Sequence, residues 1–366
     1  MTSALSFELT CSDGGARVGT VSTARGSFQS PCFMPVGTRG AVRAISSADL
    51  ELIGVKVILA NTYHLMLRPG TEIVAGLGGI HGFASFAGHV LTDSGGFQVH
   101  SLPSEVDDDG VTFKSVYDGA TVRLTPEMAV KAQEQLGSDI QMVLDVCAPF
   151  PSSAVQLRTA VERTTSWAAR ARAAHSLESQ ALFGIVQGGT DIKLRSEHAL
   201  RCAEIGFDGY GVGGLSVGEP RSAMLEALAA AVTGLPPDRP RYLMGVGDPV
   251  GILESVALGI DMFDCVAPTR MARHGSMLTW SGKLTLRNAA YAKDSTPIEE
   301  GCGCPTCLRW SRAYLRHLLM VGDPGAARAC TLHNLWWMMD LMVRTREAVQ
   351  TGELFRLRQD VAQAYR

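Results

Sequence analysis

The chain runs to 366 residues, 46% of them apolar, with a formal net charge of −3, enough for one large α/β barrel or two ordinary domains around a sizeable core. The acidic balance excludes a protein that coats nucleic acid over its whole surface, and no segment approaches the roughly 20 apolar residues that span a bilayer. The start, MTSALSFELT, lacks the basic residues and apolar core of a secretory signal, so a soluble, cytoplasmic protein is expected.

In chain order, eight short runs read as strands: FMPVG (33–37), VKVILANT (55–62), HVLTD (89–93), IQMVLD (140–145), LFGIVQ (182–187), GYGVGG (209–214), RYLMGV (241–246) and GIDMFD (259–264). Most are apolar on both faces, as strands buried in a parallel sheet must be. Helical patterns fill most intervals, among them TPEMAVKAQEQLG, the Arg/Ala-rich 156–175, DIKLRSEHALRCAEIGF and DPVGILESVALG. The alternation predicts an α/β fold, a (β/α)₈ barrel over 1–264, with a doubly wound open sheet as the alternative. An insertion occupies about 94–139, where VTFKSVYD and ATVRLT, joined around Gly119, predict a hairpin. Residues 265–366 hold a basic segment, a cysteine-rich stretch and a terminal helical region (TLHNLWWMMDLMVRTREAVQ) expected to pack on the barrel.

Barrel active sites gather at the carboxyl ends of the strands. Those ends carry Asn61, Asp93, Asp145, Gln187, Gly213, Gly214 and Asp264. Asp93 opens Asp-Ser-Gly-Gly-Phe-Gln, where glycines let the backbone approach a ligand and Phe97 offers a flat face for stacking. Taken alone, DSGG also reads as a tight strand-to-helix turn. Asp145 and Gln187 supply acceptors and an amide that both donates and accepts, which suits the edge of a guanine-like base; a backbone N–H at Gly213-Gly214 would meet its carbonyl. Asp264, in MFDCVAPTR just before the basic segment, is the candidate nucleophile.

Cys302, Cys304 and Cys307 are followed after 25 residues by His333. Three thiolates and one imidazole fill the tetrahedral shell of Zn²⁺ and leave no open position, so one structural zinc ion per subunit is predicted. Cys330 is the rival fourth ligand. The remaining cysteines are scattered and the total of nine is odd, which fits a reducing compartment. Residues 265–330 carry nine Lys/Arg against four Asp/Glu, a surface suited to a phosphate backbone, although charge alone equally fits a solvated face.

The segments PCFMPVGTRGAV, NTYHLMLRPG, LTDSGGFQV, GIVQGG, GGLSVGEP, RYLMGVG, FDCVAPTR, CGCPTCLRWSRAYLRHL and TLHNL follow one another over nearly the whole chain. In that order they resemble the bacterial-type tRNA-guanine transglycosylases, also called queuine tRNA-ribosyltransferases. The resemblance implies a (β/α)₈ TIM barrel with insertions and a C-terminal zinc-binding subdomain. It implies that Asp264 attacks C1′ of guanosine at the wobble position (34) of tRNAs with G-U-N anticodons, those for Asp, Asn, His and Tyr. Guanine is expelled and a covalent ribosyl–enzyme remains, as in retaining glycosidases. Asp93 would act as general acid/base, and the incoming base would be the queuosine precursor preQ1.

By the same resemblance, Asp145, Gln187 and the Gly214 N–H read the base edge, Phe97 and Met244 sandwich its faces, and the Leu215 carbonyl accepts from the aminomethyl group of preQ1. Cys147 and Val217 would limit the pocket sterically against bulkier queuine. Thr269, Arg270 and Arg273 would contact the anticodon loop, whose target base must leave its stack. The family favours His333 over Cys330. Trp310, Tyr314 and His317 resemble its homodimer interface, although the same face fits an ordinary core.

Two departures from the family stand out. Val146 replaces a Glu carried by many bacterial members, removing a carboxylate beside the base pocket, and the segment after Arg270 reads Met-Ala-Arg-His instead of Asn-Ala-Arg-Asn. Three other readings compete. A non-catalytic tRNA-binding subunit would lack the two carboxylates, and an archaeal-type enzyme predicts a further C-terminal RNA-binding domain beyond Arg366. A barrel glycoside hydrolase gives no reason for Arg270 and Arg273.

Overall fold

The eight runs form eight parallel strands, here β1 (Cys32–Pro35), β2 (Val57–Ala60), β3 (His89–Thr92), β4 (Ile140–Met142), β5 (Ala181–Val186), β6 (Gly209–Val212), β7 (Arg241–Leu243) and β8 (Met262–Cys265). The computed structural model describes residues 4–100 and 102–366; Ser101, in the expected insertion, lies outside the described residues. Strands pair in sequential order from β2 to β8, and β8 pairs with β1 through Met262↔Cys32 and Asp264↔Met34. The ring closes through a parallel bridge between Val36 and Leu59 and a 2.6 Å bond from the Gly37 N–H to the Leu59 carbonyl. That closure rules out the open sheet.

Every residue of β2 to β7 is buried, because helices cover the outside, packing on side chains such as Tyr210 and Phe263, while others such as Phe183, Tyr242 and Met34 fill the interior. The helices begin and end where the chain supplies caps. Pro126–Leu136 starts with Thr125 accepting from the Met128 N–H and stops at left-handed Gly137 (φ 71°). Ala154–Ala174 opens on a Ser153/Gln156 capping box, and Asp191 and Asp248 cap Ile192–Ile205 and Pro249–Ala257.

The predicted hairpin is present as Val111–Lys114 paired with Thr121–Leu124, joined by a third strand, Ser104–Val106. It packs an apolar cluster of Val111, Phe113 and Leu124 against Tyr63, Leu144 and Trp167. An antiparallel sheet that the strand patterns do not announce precedes the barrel: Leu5–Asp13, Ala16–Thr23 and Gly26–Ser30. It is tied to the amino end of β8 by a buried ion pair between Arg17 and Asp261. Arg17 also donates to the carbonyls of Pro237 (2.6 Å) and Arg239 (2.9 Å).

Beyond β8, the short helix Ala267–Arg273 leads to a hairpin (Ser276–Thr279, Gly282–Thr285) and the helices Arg312–Val321, Pro324–Thr351 and Leu354–Ala364. Pro324–Thr351 lies against β1, the N-terminal sheet and Ala267–Arg273. Its Leu332, Leu335, Met338 and Leu341 share one core with the barrel, whereas Ala272, Met277, Leu286, Leu315 and Leu319 form a smaller separate core. Among the described residues no helix is long and apolar enough to cross a membrane.

Candidate active site

Asp264 stands at the carboxyl end of β8, where the Tyr242 hydroxyl (2.6 Å) and the Gly245 N–H (2.8 Å) both donate to its Oδ1. No hydrogen bond to Oδ2 is made among the described residues, so one oxygen is anchored and the other faces the mouth unengaged. Burial raises the pKa of Asp264, opposed by those two donors. Burial also holds the Tyr242 phenol well above its ordinary range, reinforced by the charges of Asp264 and Asp93. Tyr242 therefore remains a proton donor to Asp264 at any physiological pH.

Asp93, at the end of β3, sits in a denser cage. Its Oδ1 accepts from the backbone N–H of Thr62 (2.8 Å) and Gly95 (3.2 Å), and its Oδ2 from Asn61 Nδ2 and Gln98 Nε2 (3.0 Å). Burial nevertheless dominates these four donors and pushes the carboxyl up to about 6. The two carboxylates, at the ends of β3 and β8, thus differ in kind: Asp93 is poised to exchange a proton near neutrality, and Asp264 presents a free oxygen.

The residues expected to read a base come together along β4 to β7. Gln187 Nε2 donates to Asp145 Oδ2 at 2.6 Å, and both side chains are buried. A side chain at Gly213 or Gly214 would collide with the Gln187 amide, and Gly214 has φ 63°, so glycine is required there to bring the backbone against it. Met244 Sδ lies over Gly211 and Gly213, and Gly96 lets the turn carrying Phe97 approach the Asp145 backbone. Phe97 is 63% exposed, a ring presented to the mouth instead of the core. Burial pushes the Cys147 thiol up to about 12, which keeps it protonated near neutrality. The Leu215 side chain is buried, and the following turn is held by Glu219, which accepts from the N–H groups of Ser216 and Val217 (3.0 Å). Val146 packs against the apolar cluster containing Leu144 and Trp167, so an apolar residue suits that position.

Of the expected RNA contacts, Arg270 is exposed and Arg273 half-buried on the helix Ala267–Arg273. Thr269 is buried and donates to the Val266 carbonyl at 3.1 Å, which turns its hydroxyl inward. Tyr314 and His317 are exposed, while Leu315 and Leu319 make the core face of their helix; the ordinary-core reading fails for Tyr314 and His317 but holds in part for Trp310, which packs against the smaller core. Trp310 stacks on Tyr314 with centroids 6.4 Å apart.

Cys302, Cys304, Cys307 and His333 bring their donor atoms within 4.8 Å of one another, a group that could hold a metal ion. His333 Nδ1 lies 3.3–3.9 Å from the three sulfurs, and its Nε2 bonds the Leu278 carbonyl at 2.8 Å. That outer bond fixes the tautomer a metal requires. The donor set and its enclosure fit structural Zn²⁺. Cys330 is instead part of the neighbouring apolar core.

Several contributors escape a reading of the sequence. Arg195 is fully buried and donates to the carbonyls of Val186 (2.9 Å), Gly213 (2.8 Å) and Gly189 (2.6 Å), bracing the loops after β5 and β6. Its signal is an arginine on the apolar stripe Leu194, His198, Ala199, Cys202. Neutral His198, held down to about 4 by burial, accepts from the Gln187 N–H at 2.8 Å. Tyr242, Gln98 and Glu219 carry no local signal.

Comparison with known proteins agrees with this geometry. A family model described as Queuine tRNA-ribosyltransferase matches residues 11–366. The chain is similar to proteins named Queuine tRNA-ribosyltransferase from Desulforudis audaxviator (50% identity, 94% of this chain and 93% of the relative) and Pelotomaculum thermopropionicum (48%, 99% of each). A third, from Acetivibrio thermocellus, is 47% identical over 98% of this chain and 97% of its own length.

Proposed function

Because the chain belongs to the queuine tRNA-ribosyltransferase family, the tRNA-guanine transglycosylases, we propose that it exchanges guanine-34 of G-U-N anticodon tRNAs for preQ1 through a covalent ribosyl–enzyme. The observation that carries this reading is the asymmetry of its carboxylates. Asp264 has Oδ1 anchored by Tyr242 and Gly245 with Oδ2 unengaged, and Asp93 is held at about 6.

Asp264 Oδ2 adds to C1′ as the C1′–N9 bond breaks; the electron pair departs with guanine, which takes up a proton from Asp93. The incoming preQ1 gives its N9 proton to Asp93 and attacks C1′, and Asp264 is released as a carboxylate. The bond from Tyr242 steadies Asp264 in both halves of the cycle. Asp145, Gln187 and the Gly214 N–H read the base edge between Phe97 and Met244. Cys147 and Val217 set the size limit, and the Leu215 carbonyl accepts from the aminomethyl group.

Arg270 and Arg273 hold the anticodon loop, with Thr269 securing their helix. Zinc, when bound by Cys302, Cys304, Cys307 and His333, supplies cross-linking of the C-terminal segment and no chemistry. The exposed Tyr314 and His317, beside half-buried Trp310, support a homodimer, and a cytoplasmic setting fits substrate and free thiols alike.

The test is exchange of labelled guanine, preQ1 and queuine into an unmodified G-U-N tRNA, comparing wild type with Asp264→Asn. Incorporation of guanine and preQ1 that vanishes in the variant, with a denaturant-resistant RNA adduct in wild type alone, is expected. No exchange by the zinc-loaded wild type overturns the reading, and uptake of queuine overturns the roles of Cys147 and Val217.

A further inference from the structure

Five arginines border one side of the barrel mouth. Arg270 and Arg273 follow β8, Arg39 and Arg43 follow β1, and Arg68 follows β2, which are three adjacent strands of the closed ring. Elsewhere many guanidinium groups are paired, as Arg123 is with Asp107, Arg163 with Asp108, Arg170 with Glu127 and Arg201 with Glu162. The five at the mouth make no ion pair among the described residues. Arg273 Nη1 is buried without a hydrogen-bond partner, and Arg43 and Arg270 add to the burial that holds the Arg273 pKa down. Such an accumulation of like charge is retained where an anion relieves it.

Within this strip, Arg39 and Arg68 are organised around one ring. The Arg39 Cζ lies 5.7 Å and the Arg68 Cζ 4.8 Å from the centroid of Tyr117, which the insertion hairpin delivers to the mouth. The Tyr117 hydroxyl meets His64 Nδ1 at 3.2 Å, and His64 is two residues from Thr62, whose N–H bonds Asp93. Burial, with Arg39 adding to it, lowers the pKa of His64, so no further cation sits between the arginines. Exposed Asp118 adds an opposite charge near Arg68, but no ion pair forms between them, and its carboxylate is engaged by Ser115 and by the Ala120 N–H (3.2 Å). Stacking on the ring pre-orients both guanidinium forks and reduces the rotamer freedom lost on binding.

We propose that Arg39 and Arg68, stacked on Tyr117, form a second pair of phosphate-binding contacts for the single-stranded RNA backbone, at the other end of this strip from Arg270 and Arg273. The proposal rests on the reading of the substrate as tRNA. A nucleotide turned into the pocket leaves its flanking phosphates at the rim, and a contact at each end of the strip holds the strand open on both sides. Guanidinium–phosphate contacts position the strand and carry no sequence information. Their loss therefore weakens RNA binding without altering which base is exchanged.

The experiment is equilibrium binding of a G-U-N anticodon stem-loop to the full-length, zinc-loaded protein over a range of salt. Each single-strand phosphate contact contributes about 0.7 to the slope of log K against log salt. The Arg39→Ala/Arg68→Ala variant is expected to lower the slope by about 1.4 and to weaken low-salt binding at least roughly tenfold. Its affinity for free preQ1 and its subunit mass stay at wild-type values. Arg39→Lys/Arg68→Lys is expected to keep most of the slope, and Tyr117→Leu to weaken binding with a smaller slope change. An unchanged slope overturns the proposal, and with altered subunit mass it assigns the two arginines to a subunit contact. An equal loss of preQ1 affinity overturns it in favour of damage to the fold. Failure of the wild type to bind the stem-loop defeats the tRNA reading itself, a result distinct from any of these.

Discussion

The Tyr242 hydroxyl and Asp264 Oδ1 are 2.6 Å apart, and the Gly245 N–H reaches the same oxygen at 2.8 Å. Two donors on one oxygen fix the carboxylate plane and lower its pKa against the burial that raises it. The burial of Tyr242 and the charges of Asp264 and Asp93 keep that phenol protonated, so the bond persists through the pH range in which the protein works.

Tyr242→Phe removes one of the two anchors while leaving the ring that fills the barrel. A hydrogen bond to a charged group is worth about 1.5–3 kcal/mol, so kcat for guanine exchange is expected to fall roughly 10–100-fold. KM for tRNA should stay within about twofold of wild type, because Tyr242 is buried and offers nothing to RNA. Steady-state exchange of labelled guanine measures both; a drop confined to KM would place Tyr242 outside the chemistry.

Asp93 yields a prediction in pH. Its pKa is raised from 3.8 to about 6 by burial, so between those values the folded protein holds more protons than the unfolded chain. Stability from this group therefore falls as pH rises toward 6 and is flat above it. The full penalty is about 3 kcal/mol, of which about 1.4 kcal/mol develops between pH 5 and pH 7.5. Asp93→Asn also mismatches the donors of Asn61 and Gln98, which shifts its stability by a constant. The difference in urea unfolding free energy between variant and wild type should move toward the variant by about that amount over this interval. A pH-independent difference would mean that Asp93 is ionised at its ordinary pKa. Exchange activity should vary with an apparent pKa near 6 that the variant lacks.

What was legible in the chain followed from local rules. Continuous apolar runs fix β1 to β8, and polar residues at their carboxyl ends fix Asp93, Asp145, Gln187 and Asp264, because strand direction alone decides which end is the mouth. The cysteine spacing marks three candidate ligands, and geometry groups His333 with them in place of Cys330. The N-terminal sheet was illegible because Leu5–Asp13 buries only part of its side chains and its anchor, Arg17, finds Asp261 across 244 residues. Arg195 and Tyr242 were illegible for the same reason: their partners, the Gly213 carbonyl and Asp264, are brought near only when neighbouring strands pair.

In the proposed reading, Gly214 serves recognition of the base and not recognition of RNA. A Cβ there would strike Gln187 Oε1, and the backbone is left-handed at φ 63°. Gly214→Ala must displace Gln187, which releases Asp145 from its 2.6 Å bond. Affinity for preQ1 and guanine is expected to fall at least roughly tenfold, the loss of one charge-assisted bond, while stem-loop binding keeps its strength and salt slope. Calorimetry with the free bases and titration with the RNA distinguish the two; equal losses in both would mean that the loop after β6 has collapsed.

The candidate metal group is linked to the helix Ala267–Arg273 through two consecutive residues of one helix. His333 bonds the Leu278 carbonyl, and the buried Asn334 donates to the carbonyls of Pro268 (2.9 Å) and Ser276 (3.0 Å) while accepting from the Leu278 N–H (3.0 Å). Pro268 lies on the helix that carries Arg270 and Arg273, so the position of those arginines depends on His333 being held. Metal removal by a chelator, or Cys307→Ser, is expected to lower Tm and raise KM for tRNA roughly tenfold, in the range by which ligand-shell changes weaken metal sites. Affinity for free preQ1 should change little, because Asp145, Gln187 and Gly214 belong to β4 to β6 and their loops. Asn334→Leu tests the link without touching a zinc ligand. It strands two carbonyls and an N–H in the core at about 1–3 kcal/mol each, and should raise KM for tRNA with zinc content unchanged. Retention of wild-type KM in a folded, zinc-loaded Asn334→Leu protein would show that the metal group and the arginine helix are independent.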